Sequence, residues 1–225
     1  MKKLIAIIIF LPVLVFLRGC EHDVVIDGDD GGIKGSGNIV SENRTVDECT
    51  GVNIINYGTV YITQDNTQSI RVEADDNIIH KVITKKENGI LETGLEDGEY
   101  SNVTLKIYVS LKEIKDITIT GAGNIEAKED LQCDDLTGKI DGAGNILLHG
   151  NCNSFKAVII GTGNINAFAL KSVNCDARVV GSGICSVYVT NKLTALVSGT
   201  GSIIYDGNPV EVQSTISGIG SIVSK

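Results

Sequence analysis

Apolar and polar side chains alternate through the second half of the chain, and the alternation restarts at a near-constant interval. Each restart carries a Gly-x-Gly motif: Gly121-Ala122-Gly123-Asn124-Ile125, Gly142-Ala143-Gly144-Asn145-Ile146 and Gly161-Thr162-Gly163-Asn164-Ile165. The motif continues, altered, at Gly181-Ser182-Gly183, Gly199-Thr200-Gly201 and Gly218-Ile219-Gly220, and an earlier copy stands at Gly35-Ser36-Gly37-Asn38-Ile39. From Gly121 onward the first glycines are 21, 19, 20, 18 and 19 residues apart. Six positions before them stand Leu136, Phe155, Cys175, Leu193 and Val212. Four before stand Gly138, Ala157, Ala177, Ala195 and Ser214, and two before stand Ile140, Ile159, Val179, Val197 and Ile216. That is a period-two strand with large, small and large side chains on one face. Thr137, Lys139, Lys156, Arg178 and Thr194 fall between them and suit the outer face. After the motif, Ile125, Ile146, Ile165, Cys185, Ile203 and Ile222 begin a second strand.

A repeat of about 20 residues built from short strands predicts an all-β solenoid, a parallel β-helix whose coils stack on one another. Six to eight coils at ~4.8 Å each make a rod of roughly 30–40 Å. The motif is expected at a corner, where glycine supplies positive φ and Asn tolerates it. Asn38, Asn124, Asn145 and Asn164 share one position, so neighbouring amides are expected to hydrogen-bond along the axis. A dinucleotide fingerprint is excluded: it needs a third glycine and a helix after the loop, whereas strands flank every copy here.

Residues 35–120 are less regular. Asn56-Tyr57-Gly58-Thr59-Val60 can be laid on the corner motif, Ser69 to Ala74 alternates like a strand, and Asn88-Gly89 is a turn signal. Glu96-Asp97-Gly98-Glu99 reads as a protruding loop.

Residues 1–19 read as an export signal: Lys2 and Lys3, then an almost wholly apolar run from Leu4 to Leu17. Leu17-Arg18-Gly19-Cys20 resembles a bacterial lipobox, which implies a lipid on Cys20 and a membrane anchor, although Arg18 departs from the pattern. Residues 20–34 are acidic and glycine-rich and read as a tether. A single domain follows over 35–225, divided at 121 into a less regular and a regular half.

The net charge is −9, which excludes nucleic acid as the expected partner. Cys175 and Cys185 fall in core slots and read as small buried hydrophobes. Cys133 and Cys152 lie one coil apart at equivalent positions; a disulfide and a pair of free thiols both fit there. No cysteine spacing suits a metal. His22, His80 and His149 are scattered, and no Ser/His/acid or Cys/His set can be assembled. Asp75-Asp76, Glu129-Asp130 and Asp134-Asp135 are read as solvated charges rather than metal or catalytic carboxylates. No catalytic residue, metal site or cofactor is therefore expected.

Gly51-Val52-Asn53-Ile54, Val60-Tyr61-Ile62-Thr63-Gln64, Val72-Glu73-Ala74-Asp75-Asp76-Asn77-Ile78-Ile79 and Asn88-Gly89-Ile90-Leu91, in that order and followed by the Gly-Ala-Gly-Asn-Ile repeats, resemble the head GIN domain family. Its members are bacterial envelope proteins named as auto-transporter adhesins. The resemblance covers about residues 35–225 and implies a right-handed parallel β-helix. Together with the anchor it gives the expected function: a non-enzymatic envelope lipoprotein, placed at the outer membrane, presenting a β-helical surface to a protein or glycan ligand. Two alternatives stand beside it. One is a carbohydrate-active β-helix enzyme, a polysaccharide lyase or hydrolase, by analogy of fold. The other is a self-assembling structural module, because the last coil is expected to leave strand edges open to a second copy.

Overall fold

The computed structural model describes residues 32–225. The expected signal segment 1–19, the lipobox cysteine Cys20, His22 and the acids of the tether lie outside the described residues. Gly31–Lys225 forms one compact unit with its own apolar core. The strands are β1 (Ile33–Lys34), β2 (Ile39–Arg44), β3 (Gly51–Ile54), β4 (Tyr57–Gln64) and β5 (Ser69–Asp75). After a 3₁₀ turn at Ile79–Lys81 come β6 (Val82–Glu87), β7 (Ile90–Leu95), β8 (Tyr100–Ser101), β9 (Leu105–Leu111), β10 (Asp116–Ile119) and β11 (Ala122–Ala127). The long β12 (Leu131–Gly181) is followed by β13 (Ile184–Gly199), β14 (Ser202–Asp206), β15 (Glu211–Gly218) and β16 (Ser221–Ser224). The fold is all-β, with no α-helix among the described residues.

From β10 onward every pairing between strands is parallel, and like residues meet like. Gly123 stands opposite Gly144, Asn124 opposite Asn145 and Ile125 opposite Ile146. On the other side of β11, Gly58, Thr59 and Val60 take the same places, so the Asn56–Val60 stretch does join the motif. Ile165, Cys185, Ile203 and Ile222 continue the column. A second column runs through Ile54, Ile119 and Ile140, and Val179, Val197 and Ile216 occupy the equivalent places further along. Every member except Ile222 and Ile216 is buried. Each buried aliphatic side chain contributes about 1.5–3 kcal/mol relative to exposure.

Glycine is required at the motif less for a turn than for close approach. A Cβ on Gly144 would stand 2.0 Å from the carbonyl oxygen of Gly123. Gly161 has φ +119° and a Cβ there would meet the Gly142 oxygen at 2.6 Å. The ladder asparagines, by contrast, have no positive φ; among the described residues other than glycine only Asn88, Asn102 and Asn208 do. Their role is the amide chain alone: Asn145 Nδ2 donates to Asn124 Oδ1 at 2.9 Å, and Asn164 Nδ2 to Asn145 Oδ1 at 3.0 Å.

The first half departs from uniform parallel coiling, and the main sheet is mixed. β2 pairs antiparallel with β5, β5 antiparallel with β9, and β6 antiparallel with β7. The β6–β7 case has a local cause. Asn88 and Gly89 both have positive φ, 51° and 82°, the two-residue turn that closes a hairpin. Gly35–Asn38 is not a further copy of the corner. Asn38 donates its amide to Asp76 instead of joining the ladder, and Ile39 begins β2, beside Asp75 of β5. The last residues of the expected tether are ordered, since Ile33 and Lys34 pair with Tyr100 and Ser101.

Candidate binding surface

Three outward features follow from this frame. The first is a groove of about 360 Å³ where the start of β4 meets the loop between β7 and β8. Asn56 fixes its floor: Nδ2 donates to the Leu95 oxygen at 2.7 Å, while Oδ1 accepts from the Leu95 and Tyr57 amides at 2.9 and 2.7 Å. Tyr57 donates its phenol to the Val103 oxygen at 3.1 Å, and Tyr100 to the Glu96 oxygen at 3.0 Å. Both rings are thereby held in place, and Tyr57 remains 46% exposed. Glu96 also receives Lys81 Nζ at 3.1 Å, and that bond pushes the ammonium pKa up. Asp97 and Asn102 complete the lining. The arrangement offers an aromatic face, a carboxylate and an amide to a polar ligand.

The second feature is a stripe across β5, β9 and β4 that ends just beyond β11. Arg71 lies over the Tyr108 ring at 4.0 Å, Tyr108 packs on Tyr61 at 5.1 Å, and Lys128 lies over Tyr61 at 5.1 Å. Glu73 accepts from Arg71 and from the Tyr108 phenol, the latter at 3.0 Å. The Arg71 bond is the main reason the Glu73 carboxyl sits below its usual range. Burial, then the Glu73 bond, push the Tyr108 phenol up. Sequence reading missed both features. The stripe's signal is only that Tyr61 and Tyr108 fall on the outward parity of their strands, and the structure sets them directly opposite each other in register.

The third feature is an open hollow of about 450 Å³ over four successive coils, lined by Gln132, Cys133, Asn151, Cys152, Lys171 and Thr190 among others. The structure brings Cys133 and Cys152 together there as free thiols. Cys152 Sγ donates to the Ser154 oxygen at 3.1 Å. Burial pushes Cys133 up to about 12, with Cys152 adding to the rise, and pushes Cys152 up to about 11. Such thiols are protonated and weakly nucleophilic at neutral pH. Cys175 and Cys185 are buried in the slots expected of them.

The acidic pairs divide. Asp75 is fully buried, so it is not a solvated charge. Its Oδ1 accepts from the Gly37 amide at 2.6 Å and its Oδ2 from the Thr104 amide at 2.8 Å. Asp76 accepts from Ser36 Oγ at 2.6 Å and Asn38 Nδ2 at 2.8 Å, bonds that hold its carboxyl below the usual range. Asn77 closes the clamp by accepting from the Ser36 amide at 3.0 Å and donating to the Lys34 oxygen at 2.8 Å. This cluster ties residues 34–38 to the end of β5. Asp130 pairs with His149 Nδ1 at 2.8 Å, and Asp134 accepts from Asn153 at 2.8 Å, both exposed. Among the described residues no three His, Cys, Asp or Glu side chains are grouped to hold a metal.

Solved structures with the same fold come from bacteria. A "putative adhesin" from Bacteroides fragilis NCTC 9343 superposes with a TM-score of 0.70 at 22% identity, covering 86% of this chain and 100% of that one. A "putative adhesin" from Parabacteroides merdae ATCC 43184 has a TM-score of 0.52 at 19% identity, covering 86% and 98%. A "putative lipid binding protein" from Parabacteroides distasonis ATCC 8503 has a TM-score of 0.52 at 22% identity, covering 86% and 99%. No curated protein matches the sequence. The family described as "Putative auto-transporter adhesin, head GIN domain" matches residues 48–209, most of the chain and its strands β3 to β14, and the chain belongs to that family.

Proposed function

We propose that this chain is a non-enzymatic lipoprotein of the cell envelope that presents a right-handed parallel β-helix for adhesion or ligand binding. Its anchor is a lipid on Cys20, and its place is the outer membrane. The groove between Tyr57 and Tyr100 carries the reading. Its two rings are pinned by phenol hydrogen bonds to backbone on a frame of paired strands, so little side-chain entropy is lost when a ligand seats on them. Membership in an adhesin-named family supports the same reading, and placing function on an outer face rather than in the core suits a stacked-repeat architecture.

The test is binding of the Gly31–Lys225 unit to a panel of glycans and envelope proteins, alongside Tyr57→Ala. Saturable capture that Tyr57→Ala weakens at least tenfold, with the ligand recovered intact, is the expected result. Cleaved glycan products would instead establish the carbohydrate-active enzyme, and capture indifferent to Tyr57→Ala would move the site elsewhere. For the anchor, radiolabelled fatty acid should enter the full chain in a bacterial host and not the Cys20→Ala variant. Label in both would remove the lipid from Cys20.

A further inference from the structure

The strand β15 pairs with β13 along one edge and with no other strand among the described residues. All of its residues are exposed. Val212 and Ile216 continue the columns of Leu193 and Val197, yet are 41% and 48% exposed where their neighbours are buried. Val210 and Ile219, at the two ends of β15, are 85% and 87% exposed. The outermost strands of the first half are different. β2 and β6 close the ordered path of the main sheet, and both carry ion-paired charges along it, Arg44 with Glu42 and Lys85 with Glu87. Charged edges of that kind resist strand addition, so joining β15 of one copy to β2 or β6 of the next is disfavoured.

The sequence of β15 is complementary to itself in one antiparallel register. With Ser214 facing Ser214, Val212 lies opposite Ile216, Gln213 opposite Thr215, and Glu211 opposite Ser217. Apolar meets apolar, and the single charge of the strand, Glu211, meets a hydroxyl; Glu211 is already paired with Lys192 of its own chain at 3.2 Å. Just beyond the strand, Val210 of each copy falls opposite Gly218 of the other and Ile219 opposite Pro209, which brings the two most exposed of these apolar side chains to the contact. Identical strands related by a two-fold axis place residues of the same parity opposite each other, as this register does, so facing side chains lie on one face of the joined sheet. We propose that two copies of this chain associate tail to tail, β15 against β15, about a two-fold axis through Ser214, an isologous contact that closes at the dimer. The proposal holds whether or not the tyrosine groove binds a ligand.

The experiment uses the Gly31–Lys225 unit, which has an apolar core of its own. Light scattering across a concentration series should show a monomer–dimer equilibrium with no larger species. Ile216→Lys should shift the midpoint at least tenfold toward monomer while leaving the circular dichroism spectrum unchanged. Ser214→Cys should give a covalent dimer on mild oxidation in a non-reducing gel, with the parent chain run alongside to control for its native thiols. A parent chain that stays monomeric at its highest soluble concentration would overturn the proposal. So would open-ended oligomers, or a dimer that Ser214→Cys fails to cross-link. The cross-link keeps the test decisive even if Ile216→Lys fails to fold.

Discussion

Phe155 occupies the space that Gly138 leaves open. A Cβ on Gly138 would stand 3.3 Å from the Phe155 ring, and that ring is among the largest fully buried side chains of the chain. Small and large therefore complement each other across adjacent coils, and Gly138 stands where most of the later repeats carry alanine. Phe155→Ala should cost about 3–5 kcal/mol through the cavity it leaves. Gly138→Ala should cost about 1–3 kcal/mol through overpacking. Because the two share one space, Gly138→Ala combined with Phe155→Leu should be less destabilised than the sum, with a coupling of at least about 0.5 kcal/mol. Urea unfolding of the four chains measures it, and strict additivity would mean that the ring does not fill the gap.

Close approach at the motif makes a sharper prediction. The obstacle to a side chain on Gly144 is the backbone oxygen of Gly123, which no rotamer change can move. Gly144→Ala should therefore abolish folding or cost more than about 4 kcal/mol. Gly37 offers the control: its φ is +81°, but nothing lies within 4 Å of a Cβ there. Gly37→Ala should cost only the left-handed backbone penalty, about 1–2 kcal/mol. Equal losses at the two positions would show that conformation, not stacking, selects the glycine.

The columns were legible because a coil that returns to the same place must present the same residue types there. Ile125, Ile146, Cys185 and Ile203 meet that demand in the order the spacing predicts. The first half was not legible in the same way. Its antiparallel pairings depend partly on one hairpin turn, readable as Asn88-Gly89, and partly on the clamp from Asp75-Asp76-Asn77 to Ser36-Gly37-Asn38. That clamp joins distant segments, and the glycines within it imitate the repeat. The tyrosine groove was invisible for a similar reason: Tyr57 and Tyr100 come together only through the register of strands that lie between them in the chain.

The clamp should be removable. Asp75→Ala leaves the Gly37 and Thr104 amides without acceptors, at about 1–3 kcal/mol each. Residues 34–38 should then lose protection from hydrogen exchange while the ladder amides near Asn145 keep theirs. Asp76 adds a pH dependence. Its carboxyl is held below the usual range by Ser36 and Asn38, so its contribution is full above the unfolded value of about 4 and disappears as pH falls through the lowered one. Protection of the Asn38 amide, which donates to the Ser36 hydroxyl that Asp76 holds, should accordingly weaken in acid, and Asp76→Asn should remove that dependence. Unchanged exchange in Asp75→Ala would leave the clamp without an energetic role.

The buried thiols set the opposite limit, at alkaline pH. Cys185 is fully buried between Ile165 and Ile203, and burial pushes its thiol up to about 12. In the unfolded chain the same thiol ionises near 8.5. Above that pH the unfolded state holds fewer protons than the folded one, so the stability curve bends downward as pH rises and keeps falling until the folded thiol itself ionises. Below about pH 8 the thiol is neutral in both states and contributes no slope. Cys185→Val keeps an apolar side chain of similar size in the column and removes the titration. The variant should match the parent near pH 7 to within about 1 kcal/mol and exceed it by about 1–2 kcal/mol more at pH 10, read from urea midpoints across that range. Cys133 and Cys152, pushed to about 12 and about 11, leave a residual slope in the variant. Parallel curves for the two chains would show that Cys185 is not what the folded state keeps protonated.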